Sequence, residues 1–160
     1  MSPVRVIGAH GVLFKVDTSC QETRKYSKRA VNSALSIEEL HYLSKTHPLS
    51  FDCPYAEQLY HCLLELDEVR RHCEAYLFLV NECGFALRHG GRFGADFIGY
   101  RNRDDHGTHL VCVAKSRLDT VGLSRVACSV RKEVLLVAQD PNLRWFTLRY
   151  FSLHLKSGFS

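Results

Sequence analysis

Apolar residues recur along this chain with two different periods, and the change between them divides it. From Val4 the sequence alternates and turns back on itself. Val4-Arg5-Val6-Ile7 leads into a stretch from Gly8 to Gly11, and Val12-Leu13-Phe14-Lys15-Val16 follows. That pattern predicts a hairpin of two short strands. Thr18 to Arg29 is polar and has no clear period. Ser36-Ile37-Glu38-Glu39 then forms a capping-box pattern. In such a box the Ser36 hydroxyl accepts from the Glu39 amide and the Glu39 carboxylate reaches back. Leu40 and Leu43 continue the helical spacing from Ile37, and the helix stops before Pro48, which pushes the residue ahead of it out of the helical region. From Pro54 the helices lengthen. Tyr55, Leu59, Cys62, Leu63 and Leu66 make one apolar stripe, and Val69, Cys73, Tyr76, Leu77 and Val80 make a second. Gly84 is placed to stop it.

Beyond Gly84 the period drops to two. Phe85-Ala86-Leu87 predicts a strand, His89-Gly90-Gly91-Arg92 breaks it, and Phe93 to Tyr100 predicts the next. His109 to Lys115 is a nearly continuous apolar run, as in a strand covered on both faces. Ser124 caps a short helix from Arg125 to Arg131. Glu133 to Ala138 predicts a core strand, Asp140-Pro141-Asn142 turns it, and Trp145 to Leu155 predicts the last strand. A hairpin, then helices, then a strand-rich half holding one helix is an α+β order. The expected organisation is a small N-terminal α/β subdomain over residues 1–83. A strand-rich domain over residues 84–160 follows, with a mixed sheet and flanking helices. No internal repeat or low-complexity segment interrupts either part.

Composition narrows the class. The chain has 160 residues, 46% hydrophobic and 24% charged, which excludes a disordered tail, a collagen-like fibre and a coiled-coil rod. That length buries a core without metal or disulfide staples. No apolar run reaches the roughly 18–20 residues that span a bilayer, and the first segment, broken by His10 and Lys15, is too polar for a signal peptide. The seven cysteines, at 20, 53, 62, 73, 83, 112 and 128, include no CxxC pair. They read as reduced thiols, mostly buried and acting as small hydrophobes, in an intracellular compartment. Charge is uneven. Residues 1–87 carry 9 basic and 11 acidic side chains for a net −2, and residues 88–160 carry 12 and 6 for a net +6. A basic C-terminal half suits an anionic partner, nucleic acid first.

That half also holds a phenol, an imidazole and an ammonium suited to phosphate chemistry. Tyr100 ends one strand, His106 precedes the next, and Lys132 follows the short helix. RNA is cut without metal when its own 2′-hydroxyl attacks the neighbouring phosphate. The reaction needs an acceptor for the hydroxyl proton, a donor for the leaving 5′-oxygen, and a cation near the phosphorane. Tyr, His and Lys fill those roles. A phenol accepts the proton only where cations favour its phenolate form, and Lys132 with Arg101, Arg103 or Arg131 lies in this half.

The run Arg92-Phe93-Gly94-Ala95-Asp96-Phe97-Ile98-Gly99-Tyr100 resembles the strand signature of tRNA-splicing endonucleases. His106-Gly107-Thr108-His109-Leu110-Val111 resembles the family's histidine segment. Arg125 to Lys132 followed by Glu133-Val134-Leu135-Leu136 resembles its lysine segment, and residues 36–47 its Ser-Ile-Glu-Glu-Leu element. The resemblance covers about residues 36–155 and implies a C-terminal catalytic domain over residues 84–160 that works without a cofactor or metal. It implies Tyr100 as general base, His106 as general acid and Lys132 as phosphorane stabiliser. The product would be a 2′,3′-cyclic phosphate and a 5′-hydroxyl, from precursor tRNA cut at exon–intron junctions. Arg125 matches an arginine that pairs with a C-terminal aromatic to pinch an RNA base, an arrangement a guanidinium and a ring can make. The family usually has tryptophan there. Here Phe151 or Tyr150 stands nearest to that place, with Trp145 earlier in the same strand. Only five residues separate Tyr100 from His106, fewer than is usual, and Asp104 and Asp105 in that loop favour a protonated ring.

Alternatives were weighed on the residues. His109 also fits the acid, but it heads an apolar run, whereas a loop position leaves the His106 ring free. A metal-dependent nuclease built on Asp96 and Lys115 needs a second carboxylate two residues before the lysine, where Val113 stands. Zinc at His61, Cys62, His72 and Cys73 is disfavoured because adjacent helical residues point about 100° apart. The family works as a four-unit assembly in which some members only scaffold. A non-catalytic structural subunit is therefore the alternative function. Partners would be precursor tRNA and other splicing-endonuclease subunits, met through the alternating last strand. A nuclear location follows from the resemblance.

Overall fold

The computed structural model describes residues 3–17, 32–100, 107–114 and 120–150. The polar stretch from Thr18, the loop carrying His106, Lys115, and Phe151 onward lie outside the described residues. The chain divides into two compact units, Met1–Tyr76 and Leu77–Ser160.

The first unit is a four-stranded sheet with helices against it. Its strands are β1 (Val4–His10), β2 (Leu13–Asp17), β3 (Asn32–Leu35) and β4 (Leu49–Phe51), in the order β3-β2-β1-β4. β4 runs parallel to β1 and the other pairs are antiparallel. The hairpin follows from the alternation: Val4, Val6, Phe14 and Val16 have no exposed area, while Arg5 and Lys15 between them face solvent. Gly11, at φ 60°, supplies the positive angle its two-residue turn needs. Helix α1 (Ile37–Ser44) starts where the capping pattern puts it, with the Ser36 hydroxyl accepting from the Glu39 amide at 3.3 Å.

Helix α2 (Pro54–Leu64) buries a face shifted from the one expected, with Leu59 and Leu63 of the predicted stripe still packed against the core. Tyr55 and Leu66 are 61% and 54% exposed, Cys62 is exposed as well, and the buried residues are Ala56 and Tyr60. The helix lies against β1 and β4. A methyl at Ala56 lets the backbones approach, while the Tyr60 ring packs against Phe14 and Phe51 at 6.1 and 5.5 Å. Side-chain size misled the periodicity, because the close-packed position belongs to the smallest apolar residue. Helix α3 (Asp67–Asn81) buries Cys73 and Tyr76 of its predicted stripe together with Ala75 and Leu79, while Val69, Leu77 and Val80 are only half-buried. Gly84 follows at φ 73°.

The second unit is a five-stranded mixed sheet. It contains β5 (Ala86–His89), β6 (Phe97–Tyr100), β7 (His109–Val113), helix α4 (Thr120–Val130), β8 (Glu133–Gln139) and β9 (Trp145–Tyr150), with strands ordered β5-β6-β7-β8-β9. β7 and β8 are parallel and linked through α4, and the other neighbours are antiparallel. All five residues of β7 are buried, as the apolar run predicts for a central strand. Ala127 of α4 packs with Ile98, Leu110, Cys112 and Val134 on one face.

Three boundaries move. His89 belongs to β5 rather than breaking it. β6 starts at Phe97, because Gly91–Phe93 forms a 3₁₀ turn and Gly94 takes φ 71°. α4 starts at Thr120, so Ser124 lies inside it, and the helix includes Gly122 despite the low helix propensity of glycine. The cysteines also divide: Cys73 and Cys112 are buried, but Cys62 and Cys83 are exposed.

Candidate functional site

Strand register brings the candidate residues to one end of the second sheet. Gly99 pairs with His109, His109 pairs with Glu133, and Val134 pairs with Tyr150. Tyr100, the segment after His106, Lys132 and the end of β9 therefore lie at the same edge. Trp145 pairs with Gln139 at the opposite end, about 17 Å along a six-residue strand. Of the aromatic residues weighed for the clamp, Trp145 is thereby separated from this edge.

Each position has a local cause. Tyr100 packs beside the cluster of Ile98, Leu110 and Val134, and the direction of its strand is set upstream. A Cβ at Gly90 would meet the Phe97 backbone at 2.8 Å and the Ala95 carbonyl at 2.9 Å, so only glycine allows that close turn. The Asp96 carboxylate accepts from the Val113 amide at 2.7 Å, at the end of β7 away from Tyr100. That oxygen fastens the sheet rather than facing the candidate site.

Lys132 is placed by the way α4 ends. The Lys132 amide donates to the Ala127 carbonyl at 2.8 Å and the Arg131 amide to Cys128 at 3.3 Å, with Arg131 left-handed at φ 56°. This pair of bonds is a Schellman termination, and it delivers Lys132 directly into β8. Its ammonium donates to the carbonyl of Gly107.

Gly107 is where the segments converge. A Cβ built there would collide with Ile98 Cγ2 and stand 3.4 Å from Tyr100 Cε1 and 3.5 Å from Lys132 Nζ. The phenol-bearing ring and the ammonium thus flank the residue that follows His106. His106 itself lies outside the described residues. Sequence reasoning passed over Gly107, although a glycine between a candidate acid and a strand is the available signal of close approach.

His109, the alternative acid, is 2% exposed. Its Nδ1 stands 2.7 Å from the Thr108 hydroxyl, its Nε2 3.1 Å from a Glu133 carboxylate oxygen, and its ring packs edge-on to Phe85 at 5.2 Å. Both nitrogens lie within 3.1 Å of a polar neighbour. Arg125 is exposed on α4. Tyr150 closes β9 at the site end of the sheet, and Phe151 lies beyond the described residues. Among the described residues no group of three or more His, Cys, Asp and Glu is placed to hold a metal.

Residues 69–145 match the family model described as tRNA intron endonuclease, catalytic C-terminal domain. No curated protein matches the chain.

Proposed function

Through residues 69–145 this chain belongs to the tRNA intron endonuclease family, and from that premise we propose that it is a catalytic subunit cutting precursor tRNA at exon–intron junctions. Tyr100 takes the proton of the 2′-hydroxyl, whose oxygen attacks the adjacent phosphorus. The bond from phosphorus to the 5′-oxygen breaks as His106 protonates that oxygen. Lys132 offsets the charge that builds on the phosphorane. One strand leaves with a 2′,3′-cyclic phosphate and the other with a 5′-hydroxyl, so protons and charge balance without a metal or cofactor. Arg125 with Tyr150 or Phe151 would hold a base beside the cut. The reading carries with it a C-terminal catalytic domain over residues 84–160, an assembly with further subunits, and a nuclear site of action.

The observation that supports it is the meeting of Tyr100 and Lys132 at Gly107, next to His106. The test is cleavage of an intron-containing precursor tRNA by the native assembly. Activity should persist in EDTA, and Lys132→Ala should lower turnover by about 10²–10³-fold. Replacing His106 by alanine should cost roughly 10²–10⁴-fold. Activity that disappears in EDTA and returns with Mg²⁺ contradicts the mechanism. Normal cutting at every junction with Lys132→Ala makes this chain a structural member instead.

A further inference from the structure

β7 is apolar after its first residue, yet that residue is a histidine buried to 2% exposure. A buried imidazole is tolerated only when its nitrogens are satisfied, and here the partners form a line. Glu133 stands at Nε2 and Thr108 at Nδ1. The Thr108 hydroxyl lies 2.7 Å from Nδ1 and 3.4 Å from the Gly99 carbonyl, to which it donates. Room for the ring comes from Gly99 across the strand pair, where a Cβ would meet the Phe85 ring at 3.2 Å and His109 Cβ at 3.4 Å.

The same residues are bolted through their backbones. The Thr108 amide donates to Gly99 at 2.8 Å, and the Glu133 amide donates to Thr108 at 3.0 Å. The Lys132 ammonium holds the Gly107 carbonyl. Gly99 precedes Tyr100, Thr108 comes two residues after His106, and Glu133 follows Lys132. Glu133 and Thr108 are therefore close chain neighbours of Lys132 and His106, and Gly99, which accepts from the Thr108 amide, adjoins Tyr100.

We propose that Glu133, His109 and Thr108 are positioning residues for the cleavage reaction. They fix the spacing of the three strands so that Tyr100, His106 and Lys132 face one phosphate. The proposal rests on the RNA-cleaving reading of the site. None of the three touches the reacting atoms; they act by removing slack, and a misplacement of about 1 Å costs on the order of 10²-fold in rate.

The experiment measures kcat and KM on precursor tRNA for the full chain in its native assembly. Thr108→Val keeps the shape and removes the hydroxyl, Thr108→Ser restores the hydroxyl, and Glu133→Gln removes the carboxylate. Thr108→Val and Glu133→Gln should each lower kcat by about 10- to 100-fold with KM unchanged, while Thr108→Ser stays near the parent rate. The double variant should fall no further than the worse single, since both break one line. An unchanged kcat alongside a lower melting temperature would mean that the line only stabilises the sheet, and would overturn the proposal. Lys132→Ala, run in parallel, separates the failures. If it abolishes cutting while Thr108→Val does not slow it, only the positioning role falls. If Lys132→Ala cuts normally, or the parent assembly does not cut, the reading of the site falls and takes this proposal with it.

Discussion

Cys73 is buried on α3. Burial first, then the carboxylates of Glu38 and Glu74, pushes its thiol from an ordinary 9.0 up to about 12, with Lys45 pulling the other way. The unfolded chain loses this proton near 9, whereas the folded chain keeps it to about 12. Across that window the folded state binds more protons, so stability falls as pH rises, with a slope approaching about 1.4 kcal/mol per unit. Below the window the thiol contributes nothing to the pH dependence. Urea unfolding through the alkaline range should therefore show a shallower loss for Cys73→Ala than for the parent. Parallel curves would assign the alkaline limb to another group. At the same scale the sequence brought forward Tyr100 and Lys132, which meet at Gly107, but not the glycines that let them meet. Gly90, Gly99 and Gly107 act by what is missing from them, and a missing Cβ matters only once the neighbouring strand is in place.

Among the elements, those with a complete local signal formed as expected. Ser36 opens α1 because its hydroxyl finds the Glu39 amide, and β7 is central because no polar residue interrupts it after His109. Elements whose ends depend on distant contacts moved. β6 lost its first residues to a turn held by Gly90, and α4 gained a turn before Ser124. The face of α2 shifted because Ala56, not Tyr55, fits against β1. α4 ends on a residue that sequence would not choose. Arg131 takes a left-handed angle of 56° in a Schellman position usually held by glycine, and a Cβ there costs roughly 1 kcal/mol. Arg131→Gly should raise stability by about 0.5–1 kcal/mol, read from the urea midpoint. A lower midpoint would show that the arginine side chain makes a stabilising contact of its own.

For the whole molecule, charge and the sheet edge bear on assembly. On the proposed function, the net +6 of residues 88–160 would draw an RNA backbone toward the half that holds the candidate site, an attraction that weakens as salt rises. A charged surface alone does not build an oligomer, whereas the outer strand has an apolar strip. β9 is the last strand in the order of the described sheet, with Phe146 38% and Leu148 53% exposed on alternate positions of one face. An edge of this kind invites a strand from another chain, and on the proposed function the occupant is a second subunit of the same assembly. Leu148→Arg should then lower the native mass of the purified assembly while leaving the melting temperature of the isolated chain unchanged. Val12→Arg is the control, because Val12 is 61% exposed on the hairpin turn of the first unit and its charge should leave the mass alone. If both variants keep the parent mass, subunits meet elsewhere than on the β9 face. If both lose it, added charge rather than strand pairing disperses the assembly. Only loss confined to Leu148→Arg makes the apolar edge the joint.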